Sequence, residues 1–148
     1  MNAALASAAV VVRRTIAAPA TRIFDAWLDP IALAEWMRPG EIRSTQAQVD
    51  PRVGGTYQVV MQGASGPIRH SGEYRVIDRP KKLVFTWLSA HTGDAPTLVT
   101  VDFVPVERGT EVVVTHERLP ESAMPSHRNG WISGLAHLDE ACTQGRLP

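Results

Sequence analysis

Residues Ile68 to Leu88 read IRHSGEYRVIDRPKKLVFTWL, and their order decides how the rest of the chain is arranged. Ile68–Ile77 reads as a strand, Asp78-Arg79-Pro80-Lys81 as a tight turn, and Leu83–Leu88 as the returning strand. If the turn folds its flanks antiparallel, Tyr74 lies opposite Phe85 and Gly72 opposite Trp87. Directly opposed residues share a face, so these four point the same way. Gly72, lacking a side chain, leaves room there for an indole ring or a bend in the sheet.

The same parity extends in both directions. Across the turn cluster Gly63-Ala64-Ser65-Gly66-Pro67, Tyr57 falls opposite Gly72 and Val59 opposite His70. The strand that carries them opens at Gly54-Gly55 and places Tyr57, Val59 and Met61 on one face, with Thr56, Gln58 and Gln62 on the other. Downstream, strands at about Leu98–Val104 and Glu111–Glu117 meet across Val106–Gly109, which sets Phe103 against Val112 and Val99 against His116. One consistent inward list emerges. With Val10–Ile16 at the start and a less regular segment at Ile42–Val49, the pattern predicts about seven antiparallel strands.

Helical spacing appears at the two ends. Pro19 suits the first turn of a helix carrying Ile23, Phe24 and Trp27 on one stripe. Asp29-Pro30 starts a second, with Ile31, Leu33, Ala34, Trp36 and Met37, and Pro39-Gly40 ends it. From Ser122 to about Thr143, His127, Trp131, Leu135 and Leu138 recur at helical spacing. Gly130 and Gly134 lie on or beside that stripe and let a helix approach the sheet closely, although each costs about 1 kcal/mol of helix propensity against alanine.

The 148 residues suit one domain, with residues 1–9 a flexible tail, 10–144 the folded unit and 145–148 a C-terminal tail. Hydrophobic residues make up 44% and charged residues 20%, the balance of a globular protein in water. Fifteen basic and fifteen acidic side chains cancel, with no basic run, which argues against nucleic acid or an anionic membrane as the main partner. No segment is long and apolar enough for membrane insertion, and the N-terminal stretch lacks the charged leader of a signal peptide. Cys142 stands alone, so no intramolecular disulfide forms, and the cytoplasm is the expected compartment. A homodimer is compatible with this composition.

Several strings resemble one branch of the START-related SRPBCC superfamily, the branch named for the activator homologue of the heat-shock-protein ATPase. They are Arg14-Thr15-Ile16-Ala17-Ala18-Pro19 with Ile23-Phe24-Asp25-Ala26-Trp27, then Trp36-Met37-Arg38-Pro39, then Gly54-Gly55-Thr56-Tyr57. Arg79-Pro80-Lys81-Lys82-Leu83-Val84-Phe85-Thr86-Trp87 and His127-Arg128-Asn129-Gly130-Trp131 complete the set. Trp36-Met37 departs from the two successive aromatics frequent in the branch. The resemblance spans about Val10 to Cys142 and implies an α+β helix-grip fold: a curved antiparallel sheet of about seven strands around a long C-terminal helix, with two short helices after the first strand. It also implies a cavity between sheet and helix.

The inward list supplies the candidate ligand-binding residues for such a cavity. From the short helices come Trp27 and Trp36. From the strands come Tyr57, Val59, Met61, His70, Tyr74, Phe85, Trp87, Val101, Phe103, Val114 and His116, and from the last helix His127, Trp131 and Leu135. Aromatic walls with a few polar tips suit an apolar or aromatic small molecule, with His116, His127 and Tyr74 orienting its polar groups. The same residues also suit a filled core.

His116-Glu117 is no acid–base pair, because neighbours in a strand face opposite ways. His116, His127 and His137 lack metal-ligand spacing, and no nucleophile elbow or phosphate loop is present, so neither metal nor cofactor is expected. Cys142 is expected to be a buried, inert thiol. An enzyme of the cyclase, dehydratase or antibiotic-resistance kind, using His116 or His127 for proton transfer, is the alternative function. A chaperone-interacting module is the other alternative; the separate N-terminal domain of eukaryotic co-chaperone members has no counterpart in this sequence.

Overall fold

The computed structural model describes residues 9–147. Seven strands form one antiparallel sheet: β1 Ala9–Ile16, β2 Thr45–Val49, β3 Thr56–Gly63, β4 Gly66–Asp78, β5 Lys82–Trp87, β6 Thr97–Val106 and β7 Gly109–Glu117. Their order across the sheet is β1-β7-β6-β5-β4-β3-β2, a meander closed by β1 returning beside β7. Two short helices, α1 Ala20–Asp25 and α2 Pro30–Trp36, follow β1, and the long helix α3 Met124–Thr143 ends the fold. This is the α+β helix-grip architecture.

The expected pairs are present: Tyr57 opposite Gly72, Val59 opposite His70, Tyr74 opposite Phe85, Phe103 opposite Val112, and Val99 opposite His116. The turn after β4 differs in detail. Asp78 pairs with Lys82 and Val76 with Val84, so the turn holds one residue more than a four-residue Asp78–Lys81 turn allows. A bulge between Tyr74 and Val76 absorbs the extra residue and returns Tyr74 to Phe85.

The room at Gly72 is taken differently from the expectation of an indole. A Cβ there would overlap the Thr86 carbonyl oxygen and come within 2.7 Å of Tyr57 Cε2. The phenol of Tyr57 crosses this gap and donates its O–H to the Thr86 carbonyl at 2.6 Å. The glycine therefore lets β5 and a tyrosine ring close on β4 at the bend.

Local chemistry starts each helix. Pro19 stands at the N-cap of α1 with extended backbone, and Asp29 caps α2 by accepting from the amides of Ile31 (2.8 Å) and Ala32 (3.2 Å) ahead of Pro30. The Trp36 indole donates to the Ala26 carbonyl at 2.9 Å, which locks α2 against α1. The last helix begins later than Ser122: residues Glu121–Ala123 form a 3-10 turn and no side chain caps α3. Neither Glu121 nor Ser122 therefore serves as the cap.

The chain ends also bear on the expected tails. Of the first nine residues only Ala9 is described, and it pairs with Glu117 in β1; the other eight lie outside the described residues. At the far end Leu147 packs on the core, so that part of the 145–148 segment is docked.

The core sits between sheet and helices. Trp27 is its hub: its ring lies 4.7 Å from Trp36, 5.9 Å from Trp131 in a stacked arrangement, and 6.2 Å from Phe103. Helix α3 packs over β1, α1 and α2, covering one side of the concave face. Between α3 and strands β3, β4 and β5 a gap remains, and the site lies there.

Candidate ligand cavity

A cavity of about 430 Å³ opens between the first half of α3 and the β3–β5 side of the sheet. Trp87, Met61, Ile68 and His70 supply the sheet wall, and His127, Gly130, Trp131 and Gly134 the helix wall, with Ser126 and Asn129 beside them. Trp36 and Met37 close the third side together with Pro39, Gly40 and Ile42 of the segment leading to β2. His91, from the 3-10 turn Ala90–Thr92, stands on the remaining side. Among the described residues, no Asp, Glu, Lys or Arg lines the space.

Of the residues expected at the ligand, Trp36, Met61, His70, Trp87, His127 and Trp131 line this cavity. Trp27, Tyr57, Val59, Tyr74 and Phe85 do not; they enclose a separate void of about 20 Å³, room for roughly one water. Val101, Phe103, Val114 and Leu135 touch neither space and are packed solid. Strand parity places all of these on the inner face, but α3 packs on β1 and α1 on β6, covering that side of the face. Inward therefore means core on one side of the sheet and cavity wall on the other.

His116 is also displaced from its expected place. It is fully buried behind Trp131, with both ring nitrogens engaged. The Trp131 indole N–H donates to His116 Nδ1 at 3.0 Å, so that nitrogen carries the lone pair. Nε2 is then the protonated nitrogen and donates to Thr97 Oγ1 at 2.7 Å. The Thr97 hydroxyl passes its own proton on to the Trp87 carbonyl at 2.6 Å. Every donor in this chain has one acceptor. Burial, with a smaller effect from His127, pushes the His116 pKa down to about 3, so the ring is neutral. It holds Trp131 and does not line the cavity.

The cavity histidines are arranged otherwise. His127 donates Nδ1–H to the Ala123 carbonyl one turn back at 2.8 Å, and burial lowers its pKa against that bond, with His91 adding to the lowering. His70 directs Nδ1 at the Val59 carbonyl at 3.3 Å and packs its ring 4.6 Å from Trp87. Burial pushes its pKa down to about 4, opposed by the Val59 carbonyl and helped by His91 and His127. His127 Nε2 has no hydrogen-bond partner among the described residues. Tyr74, buried beside Tyr57, does not reach the cavity, and burial raises its phenol pKa.

Helical spacing groups Met37 with Trp36, but periodicity could not have found Pro39, Gly40 or His91, which sit in irregular segments, and Ile42 lies ahead of β2 although the expected strand segment begins there. The one sequence signal for His91 is local: Ser89 and Thr92 cap the turn reciprocally, and Gly93 ends it in left-handed backbone. That predicts a compact turn without saying which wall it joins. Gly130 and Gly134 were read as close-approach residues, yet a Cβ would meet only Pro39 Cβ and Trp36 Cζ3, each at 3.8 Å. Both line the cavity, at ordinary contact distance from α2 and the segment after it.

Cys142 is buried, and burial pushes its thiol up to about 11. Among the described residues no group of three or more His, Cys, Asp or Glu is placed to hold a metal ion, and no helix is long and apolar enough to cross a membrane.

With sheet, helix and cavity in this arrangement, the family model described as activator of Hsp90 ATPase homolog 1-like protein matches residues 17–143. The chain belongs to this family. A crystal structure of a Chromobacterium violaceum protein shares its fold at 25% identity, with a TM-score of 0.82 over 90% of this chain and 96% of that one. A Nitrosomonas europaea protein matches at 21% identity and TM-score 0.80 over 99% of both chains. A Mesorhizobium loti protein matches at 22% and 0.79 over 95% of this chain and 100% of that one. No curated protein matches the sequence. The family thus comes with a shared frame, and the chemistry must be argued from this cavity's own walls.

Proposed function

We propose that this family member binds a small, largely apolar molecule in the cavity between β3–β5 and α3. The observation that carries the reading is an opening of about 430 Å³ walled by Trp36, Trp87 and Trp131 with Met37, Met61 and Ile68. That volume falls within the range of about 300–1,000 Å³ usual for small-molecule sites. Three indoles and two methionines offer large, adaptable contact area, and burying an apolar ring against them supplies most of the affinity. The absence of fixed charge on these walls favours a ligand whose body carries none. The lone, buried Cys142 suits work in a reducing compartment, which we take to be the cytoplasm.

Native mass spectrometry of the purified protein, with extraction of anything bound, is the direct test. A stoichiometric apolar passenger, or saturable one-to-one uptake of the neutral probe N-phenyl-1-naphthylamine, is the expected result. A passenger-free protein that also takes up no such probe overturns the reading.

A further inference from the structure

Three of the five histidines in this chain face one otherwise uncharged cavity. His70 comes from β4, His91 from the 3-10 turn after β5, and His127 from α3. Behind them His116 of β7 lies with its ring centre 5.3 Å from that of His127, already saturated by Trp131 and Thr97. No carboxylate from any element lining the cavity offsets them, and no Lys or Arg competes with them.

Their tautomers are set by the backbone. A carbonyl oxygen only accepts, so His127 and His70 hold their neutral-state proton on Nδ1, facing Ala123 and Val59. His127 Nε2 is then a bare lone pair. A ligand oxygen that only accepts, as in an ester or ketone, meets a lone pair there and gains nothing. An acidic O–H meets an acceptor, and its conjugate anion meets an N–H once Nε2 is protonated.

We infer that the occupant is an apolar body bearing one acidic group, a carboxylic acid or acidic phenol, whose head lies among His70, His91 and His127. This rests on the binding reading above and adds the chemical class of ligand. The proton balance is explicit. A ligand that is anionic in solution binds with uptake of one proton from solvent onto a histidine Nε2, and a ligand that keeps its proton hands it to, or shares it with, the same nitrogen. Burial, with the neighbouring histidines, lowers the pKa of His70 and of His127 in the empty cavity, so the anion supplies the charge that a protonated ring there lacks.

The test compares 2-naphthoate, its methyl ester and 2-naphthylmethylammonium, each measured by displacement of N-phenyl-1-naphthylamine. Calorimetry of naphthoate in phosphate and in Tris at pH 7 counts the protons taken up. Naphthoate is expected to bind about tenfold or more tighter than the ester, to take up close to one proton, and to weaken toward tenfold per pH unit above neutrality. The ammonium is expected to bind weakest. In His127→Gln, a half-buried position, and separately in His91→Gln, an exposed one, the acid–ester ratio and the proton uptake both shrink. An ester that binds as tightly as the acid, or acid binding without proton uptake, overturns the acidic-head assignment and leaves the apolar cavity standing. If no probe of the set binds, the cavity reading falls and this assignment falls with it.

Discussion

Trp131 donates its indole N–H to His116 Nδ1 at 3.0 Å, and this one bond joins the wall of the cavity to the last strand of the sheet. It sets the tautomer of the histidine, whose Nε2–H then engages Thr97, whose hydroxyl engages the carbonyl of Trp87. Two of the three cavity tryptophans are thus tied through a buried, neutral histidine that does not line the cavity. Rigidity of the aromatic wall is what this relay contributes.

Removing the donor tests the relay. Trp131→Phe leaves His116 Nδ1 buried without a partner, and a cost of about 1–3 kcal/mol is expected in urea denaturation. His116→Gln is expected to destabilise similarly, and the double variant less than the sum of the two, because they break one shared bond. Strict additivity would refute the coupling.

Acid stability follows from His70 and His116, whose folded pKa values of about 4 and about 3 lie below the ordinary histidine value. Between those values and about 6.5 the unfolded chain binds more protons than the folded one. Stability is therefore full above about pH 6.5 and falls as pH drops, each histidine adding a slope of up to about 1.4 kcal/mol per pH unit. Urea midpoints measured from pH 7.5 to 4.5 check this, and His70→Gln should flatten part of the decline.

Gly130 and Gly134 offer a trade between stability and space. A Cβ at either has only a 3.8 Å neighbour, so alanine fits without a clash and restores about 1 kcal/mol of helix propensity. Calorimetric melting should rise by about 2–4 °C for each substitution. Uptake of N-phenyl-1-naphthylamine should fall, since each methyl group intrudes on the cavity. A rise in melting temperature with unchanged uptake would place the ligand elsewhere.

Gly72 is the opposite case. Gly72→Ala drives a methyl group into the Thr86 carbonyl and the Tyr57 ring, and little folded protein is expected. Tyr57→Phe, which only deletes the 2.6 Å bond to Thr86, is expected to fold with a loss of about 1–2 kcal/mol. Soluble yield and circular dichroism separate the two.

Phe85 and Phe103 test the division between core and cavity. Alanine at either should cost about 3–5 kcal/mol, because both are buried among aromatic neighbours. Phenylalanine-to-leucine variants that still fold should keep probe affinity within about threefold, whereas Trp87→Leu, at the cavity wall, should lower it more strongly. Equal losses at all three positions would contradict the separation.

The meander and its inward set could be read from the amino-acid order, because strand pairing across a short turn is local and its period of two leaves one consistent parity. Even the bulge beside Tyr74 did not spoil the pairing with Phe85, since it compensates for the longer turn. The helix starts at Pro19 and Asp29 were equally local, resting on backbone restriction and capping within a few residues. What parity could not tell is which inward residues face empty space. That depends on how the helices lie on the sheet: α3 packs on β1 and α1 on β6, burying Val101, Phe103 and Val114, while Met61, His70 and Trp87 line the opening. His91 and the Pro39-Gly40 turn join that opening from irregular chain, which carries no period to read. The state of His116 was decided last of all, by partners on α3 and β6 that only the assembled fold brings within hydrogen-bond reach.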